Sequence, residues 1–542
     1  MKQQLIFALT LALLLASCAT GEAIPPTATV EPTPTRNSLD RVTDPQTPAE
    51  YVARGRQHMN YARFDAAYAD FEKAKDLGGW HYAPANVAEA ELASLRGDYS
   101  AALTAYNDAI RIDAMSAEAY AGRGMLYLNY LDKPQEALAD LNKAIQLNPL
   151  KADYLVDRAT IYAARQDIAK ALDDLAQALE IQPGLTAAYE ARAELYAAQE
   201  DYDLALADLK QLLTLQPNAA FALERRARIY LNQEKYEEAL VDLNQALTYL
   251  QGPQLLIERA IVYYYLEKYD LALDDLDIAV NMAPGSGTPF TYRGVIYLKQ
   301  KEYDKALTAL NQALKLSPYD ALAYYNRGVA YAEQHQYDEA VADYSRAIKI
   351  APESTEAYYN RGIIYRDFGR YAEALTDFDQ VVKLSPRWAD AYVARGYTFV
   401  LAGKTEQALA DFDKVGQLTP GKAEVYYYRS LVDVANKDYA NALRNLNEAI
   451  KINPKFAQAY ANRGRVAQLQ DDYATALADY EQALALNANS GLTYFYRGSL
   501  YQAQGKRAEA ITDLEKSLEL GLERQFELQA KELLDKIKGA TG

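Results

Sequence analysis

Residues 323–352 read AYYNRGVAYAEQHQYDEAVADYSRAIKIAP and contain two helical patterns. Apolar and small residues recur at spacings of three and four, as the buried face of an amphipathic helix requires. The pattern predicts one helix over residues 323–334 and a second over residues 338–350, with a turn at His335. Pro352 ends the second helix, because proline cannot continue the backbone hydrogen bonds. This short stretch therefore predicts a helical hairpin.

The same pattern recurs along the chain with a period close to 34 residues. An arginine marks each repeat, and successive arginines lie 33 to 35 residues apart: Arg123, Arg158, Arg192, Arg226, Arg259, Arg293, Arg327, Arg361, Arg395, Arg429, Arg463 and Arg497. A fixed period of this size is typical of an array of stacked units, each of which buries its apolar face against its neighbours. Such arrays usually bind other molecules and rarely catalyse reactions.

The repeated unit resembles the tetratricopeptide repeat. Counted from Ala321, the family's positions 4, 8, 11, 20, 24, 27 and 32 hold Tyr324, Gly328, Tyr331, Ala340, Tyr344, Ala347 and Pro352. The unit departs from the family at position 7, where Arg327 stands in place of a common leucine. The resemblance extends over residues 48–520. It implies an all-α fold, a right-handed α-solenoid or superhelix of about fourteen helix-turn-helix units.

The last residues, 521–542, predict a capping helix and a short tail. Leu522, Phe526, Ala530, Leu533 and Ile537 form one apolar stripe, and the other face is charged. A helix of this kind covers the exposed end of the final hairpin and keeps the array soluble.

The first 17 residues are predicted to be a lipoprotein signal peptide. The apolar run at residues 5–15 is too short for a permanent membrane span. It leads into Ala16-Ser17-Cys18, which resembles a bacterial lipobox, where the cysteine becomes the lipidated N-terminus. Cys18 is the one cysteine of the chain, so no intramolecular disulfide can form. The alternative is an ordinary secretion signal with a chance cysteine.

Residues 18–47 are rich in proline and threonine and poor in large apolar residues, so they predict a disordered tether. Several acyl chains on Cys18 would hold the protein stably on a membrane. The sequence therefore predicts a bacterial lipoprotein with tetratricopeptide repeats. Its predicted location is extracytoplasmic, with a lipid anchor in the bacterial cell membrane or envelope.

The arginine at position 7 is accompanied by an aspartate at position 23 of the same unit. The predicted ion pairs are Arg54–Asp70, Arg158–Asp174, Arg327–Asp343, Arg361–Asp377 and Arg463–Asp479. The second unit has Glu89 and Ala105 at these positions, and joint loss of both partners is expected where one charge left alone would be costly. The row of basic side chains could instead form an anion track, which the aspartates would neutralise.

Composition argues against several classes of function. The formal net charge of −17 argues against nucleic acid as a partner. His58, His81 and His335 lie in different units, with no spacing that suits a metal site or a catalytic triad. No phosphate-binding glycine loop or nucleophile motif is present in the sequence. We therefore expect no cofactor, no metal site and no enzymatic activity.

The resemblance also implies where a ligand would bind. In this family, positions 2, 5, 6, 9, 12 and 13 of the first helices line a concave groove. Carried over to this chain, the groove residues are Tyr264, Tyr325, Asn326, Tyr359, Asn360, Tyr397, Tyr427, Asn462 and Phe495. An asparagine amide both donates and accepts hydrogen bonds, as a peptide backbone requires, and tyrosine gives rigid contact area.

We therefore expect protein or peptide partners, and a role in the assembly of an envelope complex. The alternative is a cell-wall glycan that stacks on the same tyrosines. The most specific expectation concerns units nine to twelve. Replacing Tyr325, Asn326, Tyr359 and Asn360 with alanine is expected to abolish partner binding without unfolding the array.

Overall fold

The computed structural model describes residues 45–79 and 81–539, and within these ranges the secondary structure is 29 helices with no strand. The prediction of an all-α repeat fold is confirmed. The predicted signal peptide, Cys18 and most of the predicted tether lie outside the described residues.

The helices are numbered in chain order. They are α1 Pro48–Asn60, α2 Phe64–Gly78, α3 Ala83–Leu95, α4 Tyr99–Ile112, α5 Ala117–Asn129, α6 Pro134–Leu147, α7 Ala152–Ala164, α8 Ile168–Ile181, α9 Thr186–Ala198, α10 Tyr202–Leu215, α11 Ala220–Asn232, α12 Tyr236–Tyr249, α13 Pro253–Tyr265, α14 Tyr269–Met282, α15 Thr288–Lys299, α16 Tyr303–Leu316, α17 Ala321–Glu333, α18 Tyr337–Ile350, α19 Thr355–Asp367, α20 Tyr371–Leu384, α21 Ala389–Leu401, α22 Thr405–Leu418, α23 Ala423–Ala435, α24 Tyr439–Ile452, α25 Ala457–Leu469, α26 Tyr473–Leu486, α27 Gly491–Ala503, α28 Arg507–Leu520 and α29 Arg524–Gly539.

Within the described ranges, α1–α28 follow one another as fourteen first and second helices of the repeat, and α29 follows alone. In unit nine the first helix ends in a Schellman turn, in which the N–H of Gln336 donates to the carbonyl of Tyr331 at 2.8 Å. His335 lies in this turn with a φ of 64°. The residue at the equivalent position has a positive φ, the left-handed backbone conformation, in every unit: Ala62, Gly97, Asp132, Gln166, Glu200, Glu234, Glu267, Lys301, His335, Gly369, Gly403, Lys437, Asp471 and Gly505. Most of these residues are not glycine, so backbone hydrogen bonds hold the turn.

The described residues divide into two compact parts, residues 45–268 with α1–α13 and residues 269–539 with α14–α29. Within each part, each helix packs against the next one along the chain. First helices of neighbouring hairpins also touch, as α1 and α3 do in one part and α15 and α17 in the other. Each part is therefore a stack of helical hairpins, which is the architecture of a repeat solenoid.

The two helices of a hairpin approach closely where positions 8 and 24 meet. A Cβ added to Gly328 would lie 2.7 Å from Cε1 of Tyr344, closer than atoms can pack. The same pairing of glycine with an aromatic ring occurs at Gly55–Phe71, Gly362–Phe378, Gly396–Phe412 and Gly464–Tyr480. Where position 24 is leucine, as at Leu175, position 8 can be alanine, as at Ala159, and both side chains are buried. The two positions therefore share one space, although the pairing is not strict, because Ala90 packs with Tyr106 and Gly294 with Leu310.

Helix α29 packs on the final hairpin as the apolar stripe predicted. Ala530, Leu534 and Ile537 are buried in a cluster with Leu514 of α28, and Phe526 packs against it. The prediction placed Leu533 in the stripe, whereas Leu534 is the leucine that is buried and Leu533 is only partly buried.

Gly55→Ala is expected to destabilise the fold by about 1–3 kcal/mol, because the added methyl group would overlap the ring of Phe71. Adding Phe71→Leu recreates the Ala159–Leu175 pairing and is expected to recover part of that loss. Urea denaturation followed by circular dichroism measures both. A double variant that is less stable than Gly55→Ala alone would contradict the shared-space explanation.

Candidate functional site

The arginine ladder is the set of position-7 arginines, which stand on the first helices of the hairpins. In unit nine, Nε and Nη2 of Arg327 donate to the two carboxylate oxygens of Asp343 at 2.7 and 2.8 Å. The Asp343 side chain is 8 % exposed and that of Arg327 is 20 % exposed. Such a two-pronged pair fixes orientation as well as distance. Hydrogen bonding to Asp343 raises the pKa of Arg327 further above its ordinary value.

All five predicted ion pairs of the ladder are confirmed by two-pronged hydrogen bonds. The same geometry occurs in Arg123–Asp140, Arg192–Asp208, Arg226–Asp242, Arg395–Asp411 and Arg497–Asp513. These guanidinium groups are already neutralised by carboxylates, so the anion-track alternative is not supported.

The third donor of the guanidinium reaches the preceding hairpin, which the sequence reasoning missed. Nη1 of Arg327 donates to Asn311 at 2.7 Å, and Nη1 of Arg361 donates to Ser345 at 2.8 Å. Equivalent bonds join Arg123–Asn107, Arg158–Asn142, Arg259–Asn244, Arg395–Asp379 and Arg463–Asn447. The signal was available, because the acceptors all stand at position 25 of the preceding unit. Each such arginine therefore joins two hairpins.

The irregular units keep the charge paired by other routes. Arg293 and Arg429, which lack the position-23 aspartate, bind Asp277 and Asp413 of the preceding hairpins at 2.9 and 2.7 Å. Glu89, which replaces the arginine in unit two, forms an ion pair with Lys75 of unit one. Unit two therefore lacks both the arginine and the aspartate of the ladder, and a lysine of the neighbouring hairpin neutralises the glutamate that stands in the arginine's place.

The prediction of exposed contact residues in units nine and ten is wrong for three side chains, because Tyr325, Asn326 and Asn360 are at most 3 % exposed. Tyr359 is 6 % exposed, but it lines the cavity described below. The amide of Asn360 donates to the Tyr325 hydroxyl at 3.0 Å, and that of Asn326 donates to its own helix. These asparagines satisfy internal acceptors rather than a ligand backbone. Alanine at all four positions would remove buried contacts and destabilise the fold, so the expected loss of binding without unfolding does not hold.

Side chains at the family's groove positions in units ten to fourteen instead line a cavity, called here the tyrosine cavity. It has a volume of about 700 Å³ and is lined by first helices α19, α21, α23, α25 and α27 and by the start of α29. Its aromatic lining consists of Tyr359, Tyr397, Tyr427, Tyr428, Phe456, Tyr496 and Phe526. The volume lies within the range of small-ligand pockets.

Four of the nine predicted groove residues line this cavity: Tyr359, Tyr397, Tyr427 and Asn462. Phe495 lines a smaller neighbouring pocket. Tyr264 is half-buried in the other compact part. The amide of Asn462 donates to the Tyr427 hydroxyl at 3.3 Å, which repeats the bond between Asn360 and Tyr325. Units ten, eleven and twelve of the predicted groove line the cavity, unit nine does not, and units thirteen and fourteen line it as well.

The start of α29 forms one wall of the cavity. The Tyr397 hydroxyl donates to Glu523 at 3.3 Å, across 126 residues of sequence. The guanidinium of Arg524 lies 4.4 Å from the ring centre of Phe368, at the end of α19. Arg366 is 3 % exposed and donates to Asp367 at 2.8 Å. No periodic signal in the sequence indicates a contact at this separation, so the closed wall was not predicted.

Electrostatic surroundings inside the cavity are mixed. Three carboxylates, of Asp390, Glu424 and Glu523, and two guanidinium groups, of Arg366 and Arg465, line it. Burial raises the pKa of the Glu523 carboxyl, and Arg366 opposes that shift. Burial raises the pKa of Tyr359 and of Tyr428 to about 12, so both hydroxyls stay protonated at neutral pH. The cavity therefore offers aromatic faces, neutral hydroxyls and charges of both signs.

The first helices of the N-terminal part carry an acidic strip, defined as Asp157, Glu190, Glu194, Glu224 and Glu258. Burial raises the pKa of Asp157 to about 6. Burial and the nearby Glu258 raise that of Glu224 to about 7, although Arg228 and Arg225 oppose the shift. Arg228 joins the two acids, because it binds both Glu224 and Glu258.

Neither a metal-binding cluster nor a membrane-spanning helix is found in the described ranges. The described residues contain no cluster of three or more histidine, cysteine, aspartate or glutamate side chains that could hold a metal ion. Among the same residues, no helix has both the length and the apolar character that are needed to cross a membrane.

Comparison with known proteins agrees with this architecture. Family models described as tetratricopeptide repeat or TPR repeat match residues 95–129, 130–186, 190–252, 294–335, 321–354, 355–387, 429–491 and 493–520. These matches together cover well over half of the chain. No curated protein matches it.

Solved structures match at low sequence identity. The crystal structure of the APC/C hetero-tetramer Cut9–Hcn1 matches with a TM-score of 0.50 and 17% identity, over 91% of this chain and 96% of that one. A tetratricopeptide repeat protein from Parabacteroides merdae matches with a TM-score of 0.43 and 20% identity, over 46% and 98% of the two chains. Yeast Tom70 matches with a TM-score of 0.36 and 18% identity, over 78% and 96%. The first of these likenesses supports the fold alone.

The acidic strip predicts a pH dependence of stability. Glu224 has a folded pKa of about 7 against an ordinary value of 4.5, so the folded protein holds a proton that the unfolded chain releases. Its contribution is therefore present at acidic pH and is lost as the pH rises through about 7. The unfolding free energy of the wild type is expected to fall between about pH 5 and about pH 8. In Glu224→Gln this fall is expected to be smaller by on the order of 1–3 kcal/mol.

The matched control is Glu238→Gln, which neutralises an exposed carboxylate on the second helix of the same hairpin. Urea denaturation at the two pH values measures all three proteins. Equal pH dependence in Glu224→Gln and the wild type would show that this carboxyl does not carry the effect.

Proposed function

Because the chain belongs to the tetratricopeptide repeat family, we propose that it is a scaffold that binds a short segment of a partner protein in the tyrosine cavity. The observation that carries the proposal is the half-open cavity of about 700 Å³ that is lined by side chains of five successive first helices. A cavity of this size accepts a few residues of an extended chain rather than a folded domain.

The lining suits a peptide segment better than a purely apolar ligand. The amides of Gln458, Gln525 and Gln529 line the cavity, and amides both donate to and accept from a peptide backbone. The tyrosine rings offer contact area at a small cost in side-chain entropy. The described residues contain no metal cluster, and the proposed role needs neither a metal nor another cofactor. The scaffold we propose is not an enzyme.

We further propose that Cys18 is lipidated and that the protein acts outside the cytoplasm, anchored to a bacterial membrane, in the assembly of an envelope complex. The support is in the sequence: a short apolar run before Ala16-Ser17-Cys18, followed by a chain rich in proline and threonine. The acidic balance of the chain also argues against nucleic acid as its partner.

Glycan binding is the second candidate function. It is favoured by the number of tyrosine rings that face one enclosed space, since sugar rings stack on aromatic faces. Sedimentation with purified cell-wall polymer separates the two candidates. Retention of the wild type and loss of retention in a variant with a filled cavity would favour the glycan.

Leu431→Trp is expected to abolish capture of the partner, because a larger side chain at this half-buried position would fill the tyrosine cavity. The full chain is immobilised, exposed to a detergent-solubilised envelope extract, crosslinked, and its bound proteins are identified by mass spectrometry. Thr160→Trp is the matched control, because Thr160 stands at the same position 9 of a first helix in the other compact part. Equal capture by both variants would exclude the cavity as the binding site.

Cys18→Ser is expected to move the protein from the membrane pellet to the soluble fraction of the cell envelope, since serine cannot take the thioether-linked lipid. Incorporation of a labelled fatty acid into the wild type, and its absence in the variant, measures the modification directly. A Cys18→Ser protein that still sediments with membranes would contradict an anchor at this residue.

A further inference from the structure

One end of the tyrosine cavity contains a largely buried tyrosine whose hydroxyl has no hydrogen-bond partner among the described residues. Tyr359 is 6 % exposed, and its ring lies between Trp388, stacked at 4.7 Å, and Phe378, at 5.8 Å. Its hydroxyl makes no hydrogen bond to any other residue that the structure describes, although Tyr359 lines the cavity. Because the Tyr359 hydroxyl has no partner among the described residues, it is available to form a hydrogen bond with a ligand in the cavity.

Two carboxylates lie at the same end. Asp390 and Glu424 stand at position 2 of the consecutive first helices α21 and α23, and both line the cavity. Both carboxylates raise the pKa of Tyr428. Asp390 also raises the pKa of Tyr359, and Arg366 opposes that shift, so both charged groups lie near the Tyr359 ring. Within the described ranges, neither carboxylate makes an ion pair or a hydrogen bond.

The cations that line the cavity are committed to other groups. Arg366 donates to Asp367 and lies near Glu523, so its charge is neutralised locally. Arg465 donates to the Tyr496 hydroxyl at 3.3 Å and lies over the same ring. The end that contains Asp390 and Glu424 therefore keeps a local excess of negative charge beside the faces of aromatic rings.

We propose that Tyr359, Tyr428, Asp390 and Glu424 form a cation site that takes a lysine or arginine side chain of the bound segment. A cation in this position can donate a hydrogen bond to the Tyr359 hydroxyl, and the nearby carboxylates attract it. The site rests on the proposed peptide-binding function and gives it a specificity, in which partners carry a basic residue. The net charge of −17 also favours approach of a basic partner.

The test uses the full chain and three capped tripeptides: trilysine, triglutamine and triglutamate. Isothermal titration calorimetry at low ionic strength is expected to show saturable binding of trilysine at one site and none of the other two. The emission of Trp388 is expected to change in parallel, because its ring stacks on Tyr359. The double variant Asp390→Asn/Glu424→Gln is expected to bind trilysine at least about tenfold more weakly.

A matched variant separates the site from general attraction to an acidic protein. Glu190→Gln/Glu194→Gln removes the same number of carboxylates from the acidic strip in the other compact part, and it is expected to bind trilysine as the wild type does. Equal weakening in the two double variants would overturn the site. Equal binding of triglutamine and trilysine by the wild type would also overturn it.

The outcomes also distinguish this inference from the proposed function. Partner capture that is lost in Leu431→Trp but kept in Asp390→Asn/Glu424→Gln would support the scaffold and overturn the cation site. Trilysine binding that depends on Asp390 and Glu424, without capture of any protein through the cavity, would support the cation site and count against the proposed partner.

Discussion

The two-pronged bond between the position-7 arginine and the position-23 aspartate is the interaction on which the rest of the array depends. It joins the two helices of a hairpin, and in several units the third donor of the same guanidinium joins that hairpin to the one before, as Arg327 does with Asp343 and Asn311. The aspartates are nearly buried, so removal of one arginine would leave a carboxylate uncompensated at a cost of about 3–5 kcal/mol. The bond therefore holds together the two helices of most hairpins, while the second unit and the units of Arg293 and Arg429 keep the same helices with other ion pairs.

The periodic features of the fold could be predicted from the sequence, because they depend on residues within one unit or in adjacent units. The hairpin over residues 323–350, the pairing of Arg327 with Asp343 and the cap at α29 all follow from spacing alone. The identity of the exposed groove residues could not be predicted in this way. Burial at position 6 has different causes in different units: the Tyr325 hydroxyl reaches Asn360 and covers it, whereas Asn326 is buried although position 5 of the preceding unit holds the small Thr291, and it bonds to its own helix.

The tyrosine cavity was beyond prediction for a different reason. Its lining positions belong to the family's groove, and Tyr397 and Tyr427 were identified among them. Its enclosure, however, depends on Glu523 reaching Tyr397, and on Arg524 lying against Phe368. A contact across more than a hundred residues results from small rotations that accumulate over many hairpin interfaces, and no local pattern records their sum.

The same long contact has a consequence for elasticity. A stack of hairpins that is open at both ends bends like a spring, because each interface contributes a small independent rotation. The bond from Tyr397 to Glu523 closes the stretch from α21 to α29 into a loop, and rotations within a closed loop must compensate one another. We therefore expect that stretch to be stiffer than the hairpins before it in the same compact part. A guest inside a stiff enclosure has little of the host's motion to suppress, so it binds at a lower entropic cost.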